Sequence, residues 1–152
     1  MTRLLLAVPL LWLLGCGDDT PERSGDPTLA TYAPSLGVDL TAMQRLDSGL
    51  YLQDKVVGTG AEAVRGRQVT VHYTGWLPDG TQFDSSRGRN PFSFTPGRGD
   101  VIAGWEQGVP GMKVGGIRRL VLPSALGYGN RSVGAIPARS VLVFDVELIS
   151  IP

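Results

Sequence analysis

Glycine and proline interrupt this chain at short intervals, and the stretches between them alternate apolar with polar side chains. The sequence holds 21 glycines and 11 prolines in 152 residues. Both residue types disfavour the interior of helices and strands, so they leave room only for short elements. Val69, Val71 and Tyr73 share one face of a predicted strand, with polar residues between them. This pattern predicts a turn-rich protein built mainly from antiparallel β-strands.

Six segments carry the alternation that predicts a strand. They span residues 50–57, 68–74, 81–83, 92–94, 116–122 and 140–149. Asp79-Gly80 is a strong hairpin signal between the second and third segments, and Asp47-Ser48-Gly49 predicts a turn before the first. The Arg118-Arg119 pair in the fifth segment is interpreted as part of a solvated strand face.

One segment has helical rather than strand spacing. Its apolar residues recur every three to four positions, which places them in one stripe. They are Val101, Ile102, Trp105, Gly108 and Val109. Asp100 stands where an N-cap is expected, and Pro110-Gly111 ends the pattern. A single amphipathic helix must bury its stripe against the apolar face of the sheet, so the expected fold class is α+β.

Charge and cysteine content exclude several classes of function. The 14 basic and 14 acidic residues balance, so the chain offers no electrostatic field for nucleic acid. One cysteine forbids a disulfide within the chain, and together with one histidine it argues against a Cys/His metal site. The sequence has neither a nucleophile elbow nor a glycine-rich phosphate loop. We therefore expect any activity to proceed without a cofactor, a metal or a covalent intermediate.

The first 15 residues have the layout of an export signal. Arg3 precedes an apolar run, residues 4–14, that is too short to span a bilayer. Leu13-Leu14-Gly15-Cys16 closes this segment and resembles the lipobox of bacterial lipoproteins. The resemblance implies cleavage before Cys16, lipidation of that cysteine, and a place in the bacterial cell envelope facing the periplasm. Contact with the membrane would then be through the lipid anchor only. The alternative is an ordinary secretory signal with an incidental cysteine.

The stretch after Cys16 has the composition of a linker. Residues 17–37 are rich in proline, aspartate, serine and threonine and have no apolar period, which predicts a flexible tether. Residues 38–46 are compatible with a helical turn or an edge strand. We therefore divide the chain into a signal peptide (1–15), a tether with lipidated Cys16 (16–46) and a folded domain (47–152).

Five blocks of the predicted domain set aromatic and aliphatic residues among loops. They are VHYTGWLPDGTQFDSS (71–86), NPFSF (90–94), VIAGWEQGVPGMKVGG (101–116), LGYG (126–129) and VGAIPARSVLVFDVEL (133–148). In this order they resemble the FK506-binding-protein family of peptidyl-prolyl cis-trans isomerases, over nearly the whole domain. The resemblance implies a twisted antiparallel half-barrel sheet wrapped around one short helix, with an apolar cup between the two.

The same resemblance implies an active site in that cup. It assigns the catalytic roles to Asp84, Tyr128 and Ile102: the Ile102 N–H and the Tyr128 hydroxyl hold substrate carbonyls, and Asp84 orders the cup, with the Tyr73 hydroxyl as its expected contact. Trp105 is expected as the floor beneath the prolyl ring. The substrate-binding residues that the resemblance implies are Tyr73, Phe83, Phe92, Val101, Trp105, Ile136 and Phe144.

The resemblance also implies partners. These are proline-containing polypeptides and macrolides of the FK506 and rapamycin type, with no nucleic acid. The loop before Pro91 and the loop 130–137 are shorter than in the small cytosolic members, which leaves macrolide binding and substrate preference open. The long helical dimerisation segment of some envelope relatives is absent from this sequence, so we expect a monomer.

Periodicity alone leaves other interpretations open. Val101, Ile102 and Phe144 fit an ordinary core, Asp84 fits a simple Asx turn, and His72 fits a structural hydrogen-bond network. At the level of function, a binding module for proline-containing segments with little turnover competes with the enzyme. A purely structural lipoprotein is disfavoured because so many aromatic residues converge on one predicted cup.

Overall fold

The computed structural model describes residues 24–152, and within them seven strands form one antiparallel sheet. The strands are β1 (Gln44–Arg45), β2 (Tyr51–Val56), β3 (Val69–Trp76), β4 (Gln82–Ser85), β5 (Phe92–Phe94), β6 (Ile117–Leu122) and β7 (Leu142–Ser150). The helix α1 spans Ala103–Gly108. Single turns of 3₁₀ helix occur at Pro34–Leu36, Leu40–Ala42 and Ser124–Leu126. The signal peptide and Cys16 lie outside the described residues.

The strands follow the order β1-β2-β6-β7-β3-β4, and β5 pairs with β3 beside β4. Every pair is antiparallel. The sheet is not closed, because β1 and β4 remain at its edges. An open antiparallel sheet with one short helix confirms the predicted α+β fold class. None of the helices in residues 24–152 has the length and apolar character needed to cross a bilayer.

The main core lies between the inner face of the sheet and α1. Alternate residues of β7 point into it, as the alternating pattern predicted. They are Leu142, Phe144, Val146 and Leu148, all buried. Val69 and Val71 of β3 are fully buried beside them. Burial of these apolar side chains is the main stabilising term of the fold.

Two glycines let α1 approach the sheet closely. A Cβ built on Gly104 would lie 2.2 Å from Leu122 Cδ2, and one built on Gly108 would lie 2.7 Å from Leu120 Cδ2. Both leucines are fully buried on β6 and have no room to move. The glycines therefore fix the distance between helix and sheet, and with it the position of Trp105 on the same helix.

The helix begins later than its apolar stripe predicted. Ile102, not Asp100, occupies the N-cap position, and no side chain caps this end. The Asp100 carboxylate instead accepts a hydrogen bond from the Thr95 N–H at 3.3 Å. Asp100 therefore closes the preceding loop, and the prediction that it caps the helix is wrong.

Residues 24–46, which we expected to be a flexible tether, pack against the outer face of the sheet. We call residues 24–43 the N-terminal strap. Its Leu36 and Met43 are 6% and 8% exposed and cover Val121, Val141 and Val143. The outer face of β6 and β7 is apolar at these positions, so shielding it from water stabilises the fold. The strap provides this shielding although its own sequence has no regular apolar period.

Hydrogen bonds hold the strap at several places. The Ala33 N–H donates to the Pro78 carbonyl oxygen at 2.7 Å, and the Ser124 N–H donates to the Gly25 carbonyl oxygen at 2.9 Å. The Tyr32 hydroxyl donates to Pro27 within the strap at 2.8 Å. The bonds of Ala33 and Gly25 connect the strap to the β3–β4 turn and to the segment after β6.

The Arg118-Arg119 pair is buried rather than solvated, with 8% and 7% of each residue exposed. Arg118 donates through Nε and Nη2 to the Asp54 carboxylate at 2.7 and 3.2 Å and through Nη1 to the Gly108 carbonyl oxygen at 2.9 Å. Because strand neighbours point to opposite faces, Arg119 faces the strap. It pairs with Asp145 at 2.8 Å and donates to the Leu36 carbonyl oxygen. Each guanidinium is thus buried with partners that satisfy its charge.

Candidate active site

A cavity of about 430 Å³ opens between α1, the inner face of the sheet and the loops around them, and we call it the cup. Strands β3, β4, β5 and β7 each supply one aromatic side chain, α1 supplies Trp105, and the loop after β6 supplies Tyr128. The loop before α1 and the loop after β6 close its rim. The lining residues are Tyr73, Phe83, Asp84, Phe92, Asp100, Val101, Ile102, Trp105, Tyr128 and Phe144.

Trp105 forms the floor of the cup. It is 4% exposed and lies edge to face against Tyr73 at 5.0 Å and against Phe144 at 5.4 Å between ring centroids. Phe83 meets Phe144 at 5.5 Å, and Phe92 meets Trp105 at 6.1 Å, both in edge-to-face geometry. Such aromatic pairs add stability beyond the area they bury, so the walls of the cup are preorganised.

Gly75 of β3 allows this aromatic contact. A Cβ at this position would lie 2.6 Å from Phe83 Cζ and 2.8 Å from Phe144 Cε1. Any side chain here would therefore displace two walls of the cup. The strand keeps its pairing with β4 and β7 at Gly75, opposite Asp84 and Phe144.

Asp84 is the polar centre of the cup. It accepts a hydrogen bond from the Tyr73 hydroxyl at 2.6 Å, the contact that we expected from the sequence. Its other oxygen accepts from Arg89 Nη2 and from the Ser85 N–H, both at 2.8 Å. The carboxylate is thus fixed on both oxygens, and it does more than close a local turn.

The Tyr73 hydroxyl stays protonated over a wide pH range. Burial raises its pKa most, and the hydrogen bond to Asp84 and the charge of that carboxylate raise it further, to about 12. A protonated phenol is a donor, so at neutral pH it orients the Asp84 carboxylate and does not exchange protons with a substrate.

The Ile102 N–H is a backbone donor at the cup that has no partner within residues 24–152. The Ile102 carbonyl oxygen accepts the first hydrogen bonds of α1, but within residues 24–152 the Ile102 N–H has no backbone partner. Because Ile102 lines the cup, this N–H is available to a carbonyl group of a bound ligand. The Trp105 indole N–H is also without a partner in the same part of the chain, but it is buried.

Nine of the ten site residues expected from the sequence line the cup. The exception is Ile136, which is 5% exposed and packs in the main core, with an isolated bridge to Val133. Asp100 lines the cup although it was expected to cap the helix. Its sequence position, directly before Val101 and Ile102, was the signal for this place. His72 bonds to Ser86 Oγ at 2.9 Å through Nδ1, consistent with its interpretation as part of a structural network.

Comparisons with known proteins agree with this geometry. FKBP-type peptidyl-prolyl cis-trans isomerases match the chain as a family over residues 60–149. The FK506-binding protein of Neisseria meningitidis serogroup B is 50% identical over 105 residues, which cover 68% of this chain and 96% of the relative. The crystal structure of AtFKBP13 superposes with a TM-score of 0.68 at 44% identity, covering 72% of this chain and 98% of that one.

A second solved structure, FkpA from Escherichia coli, superposes with a TM-score of 0.67 at 38% identity. It covers 78% of this chain and 55% of that chain. Fold, cup and sequence therefore define one class of protein. The chain belongs to the FKBP-type peptidyl-prolyl cis-trans isomerase family.

Proposed function

We propose that the cup binds a proline-containing segment and accelerates rotation about its X-Pro bond, and that the substrates are proteins of the bacterial cell envelope. The observation that carries this proposal is an aromatic-walled cavity beside a free backbone donor at Ile102. A prolyl ring is apolar and fits such walls, while the carbonyl groups beside it need hydrogen-bond donors.

Rotation about an X-Pro bond is slow because amide resonance gives the C–N bond partial double-bond character. The barrier is about 18–20 kcal/mol for peptide bonds generally, and unaided isomerisation takes tens to hundreds of seconds. The twisted bond has less charge separation than the planar amide. A dry apolar cup therefore favours the twisted geometry relative to water, and each ~1.4 kcal/mol gained accelerates the reaction about tenfold.

The roles of the residues follow from their positions in the cup. Trp105 supports the prolyl ring, and Phe83, Phe92 and Phe144 exclude water around it. The Ile102 N–H holds a substrate carbonyl, and the half-buried Tyr128 hydroxyl holds a second. Asp84, fixed by Tyr73 and Arg89, orders the cup and polarises the imide. This scheme needs no proton transfer and no cofactor.

A peptide isomerisation assay tests the proposal. The protein should accelerate cis-to-trans relaxation of a short X-Pro peptide. Phe92→Ala should lose most of this acceleration while staying folded, because Phe92 walls the cup and is 38% exposed. Val57→Ala, which truncates a 72% exposed side chain outside the cup, is the control and should behave as wild type.

Two outcomes would contradict the scheme. Folded wild type that binds the peptide without accelerating relaxation would replace it by the binding module for proline-containing segments. Folded Asp84→Ala with undiminished activity would remove Asp84 from the catalytic set. Competition by a macrolide of the FK506 or rapamycin type in the same assay tests whether the shortened rim loops still admit such ligands.

We also propose that the protein is a lipoprotein anchored through Cys16, with its domain facing the periplasm. Support comes from the sequence: an apolar export signal followed directly by Leu13-Leu14-Gly15-Cys16. Two or three acyl chains anchor far more firmly than one, since each buried methylene contributes about 0.8 kcal/mol. Only residues 17–23 lie between Cys16 and the described part of the chain, and the eight steps from Cys16 to Ser24 reach at most about 29 Å.

Metabolic labelling with a fatty-acid analogue tests the anchor. The protein should incorporate the label and fractionate with membranes, and Cys16→Ser should do neither. A soluble, unlabelled wild-type protein cut after the apolar run would instead establish an ordinary secretory signal. Label retained by Cys16→Ser would place the acyl chain elsewhere.

A further inference from the structure

We infer that Asp100 gives the cup a preference for substrates that carry a cationic side chain next to the proline. The inference rests on the proposed function, because it concerns which proline-containing segments the same cup selects. It begins with the two carboxylates that line the cup, Asp84 and Asp100.

The two carboxylates differ in their partners. Asp84 pairs with the Arg89 guanidinium at 2.8 Å, so its charge is locally balanced. Asp100 belongs to none of the ion pairs within 4.0 Å formed among residues 24–152. Arg98 is two residues away and exposed, and Arg131 lies in the loop after Tyr128, yet neither approaches Asp100 within that distance. Within residues 24–152, Asp100 thus adds to the cup a negative charge that no cation pairs within 4.0 Å.

One hydrogen bond restrains the Asp100 side chain. Its carboxylate accepts a hydrogen bond from the Thr95 N–H at 3.3 Å, and Thr95 is 8% exposed. This bond involves one carboxylate oxygen, and the other has no hydrogen-bond partner among residues 24–152. Because the residue itself is exposed, a ligand reaches its carboxylate without displacing any part of the protein.

Asp100 also lies at the right place along a bound peptide. It directly precedes Val101 and Ile102, and consecutive Cα atoms are about 3.8 Å apart. The Ile102 N–H is the proposed holder of a substrate carbonyl, so Asp100 lies within one or two peptide units of that contact. A lysine or arginine side chain beside the proline spans this distance. Apolar walls lower the local dielectric and strengthen the attraction relative to open water.

Three peptides that differ in one residue beside the proline test the inference. That residue is lysine, norleucine or glutamate, so that size is similar and charge changes from positive to neutral to negative. With the purified protein at low ionic strength, kcat/KM should be about two- to fivefold higher for lysine than for norleucine, and lower again for glutamate. The lysine-to-glutamate ratio should shrink as salt is added, because the Debye length falls to about 10 Å at 0.1 M salt.

Asp100→Asn should bring the lysine-to-glutamate ratio close to one. Asp79→Asn is the matched control: Asp79 is also exposed and also accepts one hydrogen bond from a nearby backbone N–H, that of Thr81 at 2.9 Å, but it lies in the β3–β4 turn outside the cup. This variant should keep the wild-type ratio.

The failure of this inference is distinguishable from failure of the proposed function. A wild-type ratio near one, or a ratio that survives in Asp100→Asn, overturns the role of Asp100 while turnover stands. If no peptide is turned over, the affinities of the same three peptides, measured by fluorescence anisotropy, carry the test. The same order of lysine over norleucine over glutamate, lost in Asp100→Asn, then supports the charge preference, and equal affinities overturn it.

Discussion

At the scale of single residues, the contact between Tyr73 and Asp84 organises the cup. The 2.6 Å hydrogen bond joins a phenol on β3 to a carboxylate on β4. Arg89 holds the opposite oxygen of that carboxylate from the following loop. Two side chains, Tyr73 and Arg89, thereby hold the two oxygens of the Asp84 carboxylate. Networks of this kind give more order than isolated pairs.

The raised pKa of Tyr73 gives a pH dependence with a definite sign. Its pKa in the folded protein is about 12, above the usual 10.0, chiefly because of burial and then because of Asp84. The folded state thus holds this proton more tightly than the unfolded state. The stabilisation is fully present below pH 10 and is lost as pH rises through 12. Activity should accordingly not respond to Tyr73 ionisation near neutrality.

Asp84→Asn checks this assignment. Removing the negative charge should lower the Tyr73 pKa, although burial keeps it above the usual value. Ultraviolet titration of the phenolates measures the change, with Tyr73→Phe identifying which transition belongs to Tyr73. An unchanged transition in folded Asp84→Asn would show that the carboxylate contributes nothing to the shift.

At the scale of elements, the distance between α1 and β6 determines where the floor of the cup lies. Gly104 faces Leu122 so closely that no other residue fits without movement of the sheet. Arg118 adds a second constraint, because it ties the carbonyl of Gly108 at the helix end to Asp54 on β2. These contacts beside Trp105 on the buried side of the helix therefore help to determine its position.

Gly104→Ala should destabilise the protein by about 1–3 kcal/mol, measured by urea unfolding. The expected loss comes from crowding, since alanine favours helix formation by about 1 kcal/mol over glycine. Ala103→Gly on the exposed side of the same helix is the control for propensity and should cost up to about 1 kcal/mol. Increased stability of Gly104→Ala would mean that the helix has room to move away from β6.

At the scale of the whole molecule, the sheet is covered on both faces. The helix and loops cover the inner face, and the N-terminal strap covers the outer one. The Arg119–Asp145 pair and the Leu36 carbonyl lie at this second interface, where Lys55 also reaches Asp145 at 3.1 Å. The strap is thus part of the folded unit. It forms hydrogen bonds to Pro78, which precedes the cup residues of β4, and to Ser124, which precedes Tyr128.

Two leucines of the strap give a direct comparison. Leu36→Ala should lower the free energy of unfolding by about 2–5 kcal/mol, because Leu36 is buried against the sheet. Leu29→Ala should change it by no more than about 0.5 kcal/mol, since Leu29 is 55% exposed. Thermal and urea unfolding of both variants measures the difference. Equal, small effects would show that the strap does not contribute to stability.

Features that depend on neighbouring residues were predictable from the amino-acid sequence. All six predicted strands occur within a few residues of their expected bounds, and the helical stripe at Trp105 forms a helix. Side-chain periodicity and turn residues act locally, so they can be recognised along the chain. Of the ten cup residues that the sequence motifs indicated, all but Ile136 line the cavity.

Features that depend on partners far apart in the chain became visible only in the three-dimensional fold. Arg118 and Arg119 are buried because Asp54 and Leu36, 64 and 83 residues away, come to meet them. The strap is ordered because β6 and β7 offer it an apolar outer face, not because of its own pattern. Ile136 packs in the core, while Asp100 lines the cup, since their surroundings are set by other segments. Burial and charge pairing are properties of the assembled fold, so they cannot be predicted from the residues adjacent in sequence.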